Sequence, residues 1–466
     1  MENYKQQTQR IIEKLDIVRQ KDPTFKVFGA DSHKYGIGRT LDIKTIENFE
    51  QEYNLDLPSC YKAFLTLVGN GNSIKGHRNS AVGPFYGIYP FASNIDELIE
   101  NPKPYLQKEC CLSPLMTDKQ WDEISQEDDE EISEENYDEW LGNLFAGILP
   151  IGSQGCTYLH GLVLNGKYKG KVVNLDLSIQ KPHFCFEDNF LDWYERWLDE
   201  IISGDLTTKN AASFGYDKGG TEDSLIEEYK NADIENKSRC LIGLLKKRVL
   251  SQSTYKFVEQ EYHKCDDDLK FLFLHILAKF DYNKAKPYLF AYANKDLLTV
   301  LQAVHWYHKD KSKDWVNFIE AQVTPICNDN TFCFCNYIME NAKVDSSGFI
   351  IPFTKHADKD IRNTAFYHLG EQNNPERFID VFIIGLQDNS NQVVHTTIQA
   401  LYDIENKKLL KYYKKIALKY LKETDYILCN LKQNLKKYKL SLFKIRRISY
   451  EDLEKFSPKK WYQFWK

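Results

Sequence analysis

At 466 residues the chain is too long for one ordinary hydrophobic core, so two domains, or one domain and a helical array, are expected. Hydrophobic residues at 42% and charged residues at 27% match a folded soluble protein, which excludes a disordered or collagen-like chain. The net charge of −6 hides an asymmetry: the first 200 residues carry about −13 and the stretch from Glu405 about +12, so the two ends favour partners of opposite sign.

The first residues, MENYKQQTQRIIEKLDIVRQ, form an amphipathic helix over 4–20, with Ile11, Ile12, Leu15 and Val18 on one face. They lack the apolar core of a secretory signal, and no stretch approaches the run of about 18 apolar residues that spans a bilayer. The cytoplasm is the expected compartment. A second helix covers 42–53, with Ile43, Ile46, Phe49 and Tyr53 three and four apart and Asn54 as its stop. Pro58 opens a third, with Tyr61, Phe64, Leu65 and Val68 inward and Gly69 ending it. The pattern then changes. Phe85–Phe91, Ile148–Ile151, Tyr158–Leu164 and Lys171–Leu175 are short β-rich runs, and Asn165-Gly166 is a hairpin-turn signal between two of them. Residues 188–202 return to helix, with Trp193 and Trp197 one turn apart to cover a face of the sheet. Helices on either side of a run of strands predict an α+β domain with a largely antiparallel sheet.

Ser203–Ser224 is polar, contains glycine and has no period, so it reads as a linker between a domain over 1–202 and a region over 225–466. The latter is almost purely helical, as in Leu269, Leu272, Phe273, Ile276 and Phe280. Leu269 and Leu297 start helices about one repeat apart, and Ile361, Ala365 and Leu369 recur as Val393, Thr397 and Leu401 about 32 residues on. Asp360 and Asp388 precede these helices as candidate caps. A stacked α-solenoid is expected. In the basic end, Leu409, Tyr413, Ile416, Ala417 and Tyr420 stand at core spacing. Lysines on the solvent face of a capping helix are therefore favoured over contact with nucleic acid or membrane.

Ile46–Gly71 (IENFEQEYNLDLPSCYKAFLTLVGNG), Gly83–Phe91 (GPFYGIYPF), Ile148–Asp176 (ILPIGSQGCTYLHGLVLNGKYKGKVVNLD) and Phe190–Glu200 (FLDWYERWLDE) occur in an order that resembles the SUKH superfamily of Smi/Knr-type proteins, over roughly residues 26–202. Within them, Gly69 and Gly71 allow a tight exit from the third helix, and Gly152 and Gly155 bracket a sharp turn. Bacterial members of that superfamily are commonly immunity proteins that neutralise toxins exchanged between competing cells. Fungal relatives regulate cell-wall assembly, and both uses are protein binding. The stretch DIRNTAFYHLG (Asp360–Gly370) resembles a HEAT-type helix, although Val394 and Thr397 stand where the next repeat would carry Arg and Ala. The fold expected is thus a SUKH-like α+β domain followed by an all-α HEAT-like solenoid.

Asp118–Trp140 holds twelve carboxylates and one lysine, interleaved with Trp121, Ile124, Ile132, Tyr137 and Trp140. Lying between two of the quoted motifs, it is an insertion over the sheet. It is either an acidic mimic of nucleic acid, able to fill the basic groove of a nuclease toxin, or an ordinary solvated acidic face. Asp128, Asp129, Glu130 and Glu131 are the candidate partner-binding charges, with Trp121 and Trp140 as apolar anchors. The run contains no glycine and so cannot be a calcium-binding EF-hand loop. The eleven cysteines are scattered, and neither Cys110-Cys111 nor Cys333-Phe334-Cys335 has a second pair at zinc spacing, so buried thiols are expected. No HExxH, GxSxG, Walker A or GxGxxG motif occurs. Neither catalysis, a cofactor nor a metal is expected. The expected partner is a toxin domain with a basic surface, with no membrane or nucleic acid bound. The alternative is a non-enzymatic regulatory scaffold like the fungal relatives.

Overall fold

The computed structural model describes residues 2–72, 79–125, 134–207, 214–265, 267–322, 326–420 and 426–455. The chain divides into two compact units, Met1–Leu272 and Phe273–Lys466.

In the first unit, helix α1 (Lys5–Lys21) buries Ile11, Leu15 and Val18 along one face. Helix α2 (Ile43–Tyr53) starts where the Asp42 carboxylate accepts from the Lys44 N–H, and it ends on Asn54 in the left-handed region. Pro58 precedes helix α3 (Ser59–Ala63), which continues as a π-turn over Phe64–Val68 before Gly69. Helices α4 (Asp118–Ser125) and α5 (Glu134–Leu144) follow, then strands β1 (Ile148–Gly155), β2 (Tyr158–Val163), β3 (Val172–Asp176) and β4 (His183–Phe184). The strands pair antiparallel in the order β1-β2-β3-β4. Helix α6 (Phe190–Ile202) is capped by the Asn189 side chain, which accepts from the N–H groups of Leu191 and Asp192. Helices α7 (Glu222–Asn231), α8 (Ile234–Lys246) and α9 (Gln252–Lys264) complete the unit, capped by Thr221, Asp233 and Ser251.

Side chains alternate across a strand, so the sheet has two faces, and here both are buried. On one face Leu149, Ile151, Leu162 and Val172 join a core with α1, α3 and α6, in which Trp193 and Trp197 are fully enclosed. On the other, Ile148, Leu159, Val163, Val173 and Leu175 join a second core with Trp121, Leu144 and Phe145.

Three details differ from the sequence pattern. Phe85–Phe91 forms no strand. Ile88 makes isolated bridges to Ala81 and Gly152, while the N–H groups of Tyr86 and Tyr89 donate to the carbonyls of Ser153 and Ile151, so the segment lines the edge of β1. Gly152 and Gly155 do not bracket a turn but lie within β1 at two register shifts. A Cβ at Gly152 would stand 2.5 Å from the Gly87 carbonyl oxygen, so glycine is what lets this edge close. Part of the 203–224 stretch is packed: Phe214 is 4% exposed in the first core, and Asn174 donates to the Gly215 carbonyl at 3.3 Å.

In the second unit, helices α10 (Leu297–Tyr307), α11 (Asp329–Ala342), α12 (Lys359–Gly370), α13 (Asn391–Ala400) and α14 (Tyr426–Lys437) stack in sequence, each against the next. The intervening shorter helices pack along them, as expected of a HEAT-like array. Ile361, Ala365 and Leu369 are buried, as are Val393, Thr397 and Leu401. The carboxylates expected as caps do other work. Asp358 caps α12, with Asp360 in its first turn. Asp388 forms a two-point ion pair with Arg362, at 2.8 and 2.9 Å. Burial opposes ionisation of Asp388, but Arg362 outweighs it and holds the carboxyl below its usual range. Leu409, Tyr413, Ile416 and Ala417 are buried, and so is Lys414, whose Nζ donates to the carbonyls of Ile445, Arg446 and Ile448. Arg362→Ala is expected to lower the stability of the array by about 2 kcal/mol, the worth of hydrogen bonds to a charged group. The loss is read as a lower urea midpoint, and an unchanged midpoint would make the pair ornamental.

Candidate interaction surface

The insertion between helix α3 and the sheet begins its first helix with a reciprocal cap. The Thr117 hydroxyl accepts from the Gln120 N–H at 3.2 Å, and the Gln120 side chain accepts from the Thr117 N–H at 2.9 Å. This capping box fixes the start of α4. From there the helix turns Trp121 inward, 5% exposed, and leaves Asp118, Asp122 and Glu123 outward. Helix α5 repeats the arrangement: Leu144 is buried, Trp140 and Leu141 pack half-buried against the same core, and Asp138 and Glu139 face outward. Tyr137 lies 5.6 Å from Trp140, centroid to centroid. Among the described residues, two local cations meet this charge. Asp118 meets Lys181 at 2.6 Å and Lys119 meets Glu123 at 3.8 Å, all on exposed or nearly exposed side chains. Such pairs contribute little to stability.

Of the residues singled out in the sequence, Trp121 and Trp140 are brought into one core. Trp121 is 5% exposed within the second core, so its indole holds the insertion to the sheet rather than offering a surface to a partner. Trp140 keeps a half-exposed edge. Asp128, Asp129, Glu130 and Glu131 lie outside the described residues.

A second acidic concavity, of about 830 Å³, lies along the outer side of α6 and includes Glu187, Glu195, Arg196, Asp199, Glu200 and Lys247 in its lining. The carboxylates of Glu187, Glu195, Asp199, Glu200 and Asp205 pair with the chain's own cations. Glu195 takes Arg10 at 2.9 Å and Lys14 at 2.8 Å, while Lys14 also takes Asp199 at 2.6 Å. Arg196 bridges Glu187 and Glu200, and Lys247 meets Asp205 at 3.0 Å. Burial pushes the Glu200 carboxyl up. This is an ion-pair network tying α1 and the segment after α6 to that helix.

A third polar group sits inside the first core. Asn174 Oδ1 faces His160 Nδ1 at 2.9 Å and accepts from Gln154 at 3.0 Å, and Gln154 in turn accepts from the Tyr216 hydroxyl at 2.9 Å. His160 is fully buried, and desolvation lowers its pKa to about 4, so it is neutral and closed to substrate. Burial raises the thiols of Cys60 and Cys185, the opposite of what a nucleophilic thiolate needs. Among the described residues no group of three or more His, Cys, Asp or Glu is placed to hold a metal ion, and no helix is long and apolar enough to cross a membrane.

Two expectations separate packing from surface. Trp121→Ala should cost about 3–5 kcal/mol in urea unfolding, whereas Asp122→Asn, Glu123→Gln, Asp138→Asn and Glu139→Gln should each stay within about 0.5 kcal/mol. The buried histidines give a pH signature. His33 and His160 have folded pKa values lowered to about 4 from 6.5, so the unfolded chain binds more protons between those values. Stability of the first unit is full above pH 6.5 and falls as the pH drops towards 4. A urea midpoint that holds level from pH 7 to about 5 would contradict their burial as neutral groups.

No curated protein and no solved structure gives a significant match to the chain. Residues 40–196, which run from α2 into α6 and therefore include the whole sheet with its acidic insertion, match the model of the SMI1 / KNR4 family (SUKH-1), and this part of the chain is similar to that family.

Proposed function

We propose that the chain is an immunity protein: it binds a toxin domain with a basic surface, a nuclease among the candidates, and blocks it by shape and charge without catalysis, cofactor or metal. Similarity to the SUKH-1 family is consistent with a protein-binding role, either immunity-like or regulatory. One observation carries the choice of a basic partner. Twelve carboxylates and one lysine are gathered in 118–140, and the described helices of that insertion are held to the sheet on their apolar side with Asp122, Glu123, Asp138 and Glu139 outward. A fixed, single-signed field accelerates encounter with a basic groove and disfavours acidic competitors. Asp128, Asp129, Glu130 and Glu131 would extend the same field, and the half-exposed edge of Trp140 is the apolar contact within it. The working compartment in this reading is the cytoplasm, with neither membrane nor nucleic acid as a ligand.

A regulatory scaffold is the second reading, favoured by the helical array, since stacked repeats offer extended binding faces. Affinity purification of the tagged chain from its own cells, challenged with competitors, separates the two. One near-stoichiometric toxin domain with a basic surface supports immunity. A stable housekeeping or signalling partner and no toxin supports the scaffold. With the toxin in hand, the combined Asp122→Asn, Glu123→Gln, Asp138→Asn, Glu139→Gln variant is expected to associate about tenfold more slowly at low salt, with the difference lost near 0.5 M salt. An association rate indifferent to both salt and these substitutions would sink the electrostatic part.

A further inference from the structure

Three lysines of the helical array, Lys407, Lys408 and Lys411, meet around a concavity of about 400 Å³ whose other walls include Ile383, Tyr412 and Leu453. Their placement follows from the packing of one helix. A 3-10 turn over Lys407–Leu409 leads into the helix Leu410–Lys419, and Leu409, Leu410, Tyr413, Ile416 and Ala417 are buried on its inner face. Its entry is clamped as well. The Tyr438 hydroxyl accepts from the Asn406 N–H at 2.8 Å and donates to the Asn406 carbonyl at 3.0 Å, and the Asn406 side chain accepts from the Lys408 N–H at 3.0 Å. With that face committed, Lys407, Lys408, Lys411 and Lys415 are left exposed.

These lysines stand three and four apart along the helix, where like charges repel. Among the described residues Lys408 pairs with Asp380 at 3.1 Å, whereas Lys407 and Lys411 form no ion pair. Lys411 and Lys415 lie instead 5.0 and 5.4 Å from the centre of the Tyr412 ring. One carboxylate against three ammonium groups leaves the lining at +2. Other carboxylates of the region do not line it. Glu376 accepts from the Asn406 amide at 3.4 Å, Asp403 and Glu405 lie near Lys437, and Asp452 accepts from the Ser449 hydroxyl at 2.7 Å.

We infer that this concavity is a docking site for an acidic segment of a partner protein, in which carboxylates flank an apolar side chain. Charge complementarity selects the occupant: the ammonium groups of Lys407 and Lys411 lack the counter-ions that such carboxylates supply. The half-buried Ile383 and Tyr412, above the buried Leu453, give the apolar side chain its contact. A free small anion fits less well, because small-ligand sites enclose most of their ligand and these lysines are exposed. A phosphodiester strand needs cations repeated along a groove, whereas these are gathered at one concavity with Asp380 among them. The surrounding field has the same sign, since the stretch from Glu405 carries about +12 and draws acidic partners in. This inference rests on residues outside the acidic insertion, and the failure of either leaves the other standing.

The test pans a displayed library of random peptides against the full chain and titrates the selected peptides by fluorescence anisotropy, with the folding of each variant checked by circular dichroism. Expected are acidic peptides in which Asp or Glu flanks an apolar or aromatic residue. Their affinity should fall about tenfold in the Lys407→Gln/Lys411→Gln variant, and by a similar factor between about 0.05 and 0.5 M salt. Lys436→Gln/Lys444→Gln removes the same charge from exposed lysines outside the concavity and should change affinity less than about twofold. Asp380→Asn removes the competing carboxylate and releases Lys408, so it should tighten binding about twofold or more.

Selection of neutral or basic peptides, or of none, overturns the inference. So do equal losses in the two double-lysine variants, which would reduce the site to overall charge, and weaker binding in Asp380→Asn. Single-stranded oligothymidylate and phosphatidylserine vesicles are titrated in parallel. If either binds more tightly than the peptides and is lost in Lys407→Gln/Lys411→Gln, phosphate is the occupant and the inference fails. A dimer in sedimentation that the same variant dissolves also overturns it, because the concavity is then filled by a second copy of the chain.

Discussion

The sheet of the first unit has no side that water can cover. Its four strands are short, β3 is buried at every position and β1 at all but its last, and the faces alternate between two separate cores. An antiparallel sheet ordinarily leaves one face polar. Here the second face would expose Ile148, Leu159, Val163, Val173 and Leu175 if nothing lay on it. The acidic insertion supplies part of that cover, Trp121 and Trp140 beside Leu98, Ile99, Leu112, Leu144 and Phe145, so the segment that gathers the charge also contributes to the fold.

This dual role sets the energetics of the acidic surface. Two carboxylates about 7 Å apart in water repel by about 0.6 kcal/mol, and less in physiological salt. Burying one indole removes about 200 Å² of largely apolar surface, on the order of 5 kcal/mol at the usual coefficient. Trp121 alone therefore offsets several such repulsions, and Leu144 and Phe145 add to it. A charge density that would keep an isolated helix pair apart is tolerated because its apolar side is held down, and the carboxylates stay where a partner can meet them.

Much of the first unit was legible from periodicity and punctuation. Asn54 stops α2, Pro58 precedes α3, and the 3.6-residue spacing placed Trp193 and Trp197 in the core, because each signal acts within a few residues of chain. What was not legible depends on distant partners. Phe85–Phe91 has strand composition, but between Gly83 and Gly87 it can only bridge the bulged edge of β1, and nothing in its own residues says so. Trp121 looked like a surface anchor because its sequence neighbours are charged, and its burial is decided by strands about 30–50 residues later, beyond any local pattern. In the array, the 32-residue shift exposed the repeat, yet the His-aromatic contacts between α10, α11 and α12 join residues 31 and 32 apart on neighbouring helices, a pairing that single-helix patterns do not reveal.

Several charged groups of the array are used at helix ends. Asp281, Asp296 and Asp358 accept from first-turn N–H groups, and Lys414 closes the carbonyl end of a terminal helix. Arg362 joins the carbonyls of His356 and Ala357 to Asp388. Charged groups at helix ends meet opposite partial charges there, whereas charges in mid-helix would face the flank of the next helix across a close-packed gap. Within the stack, His305, Tyr337 and His368 interlock between neighbouring helices, while these ionic groups sit at helix ends.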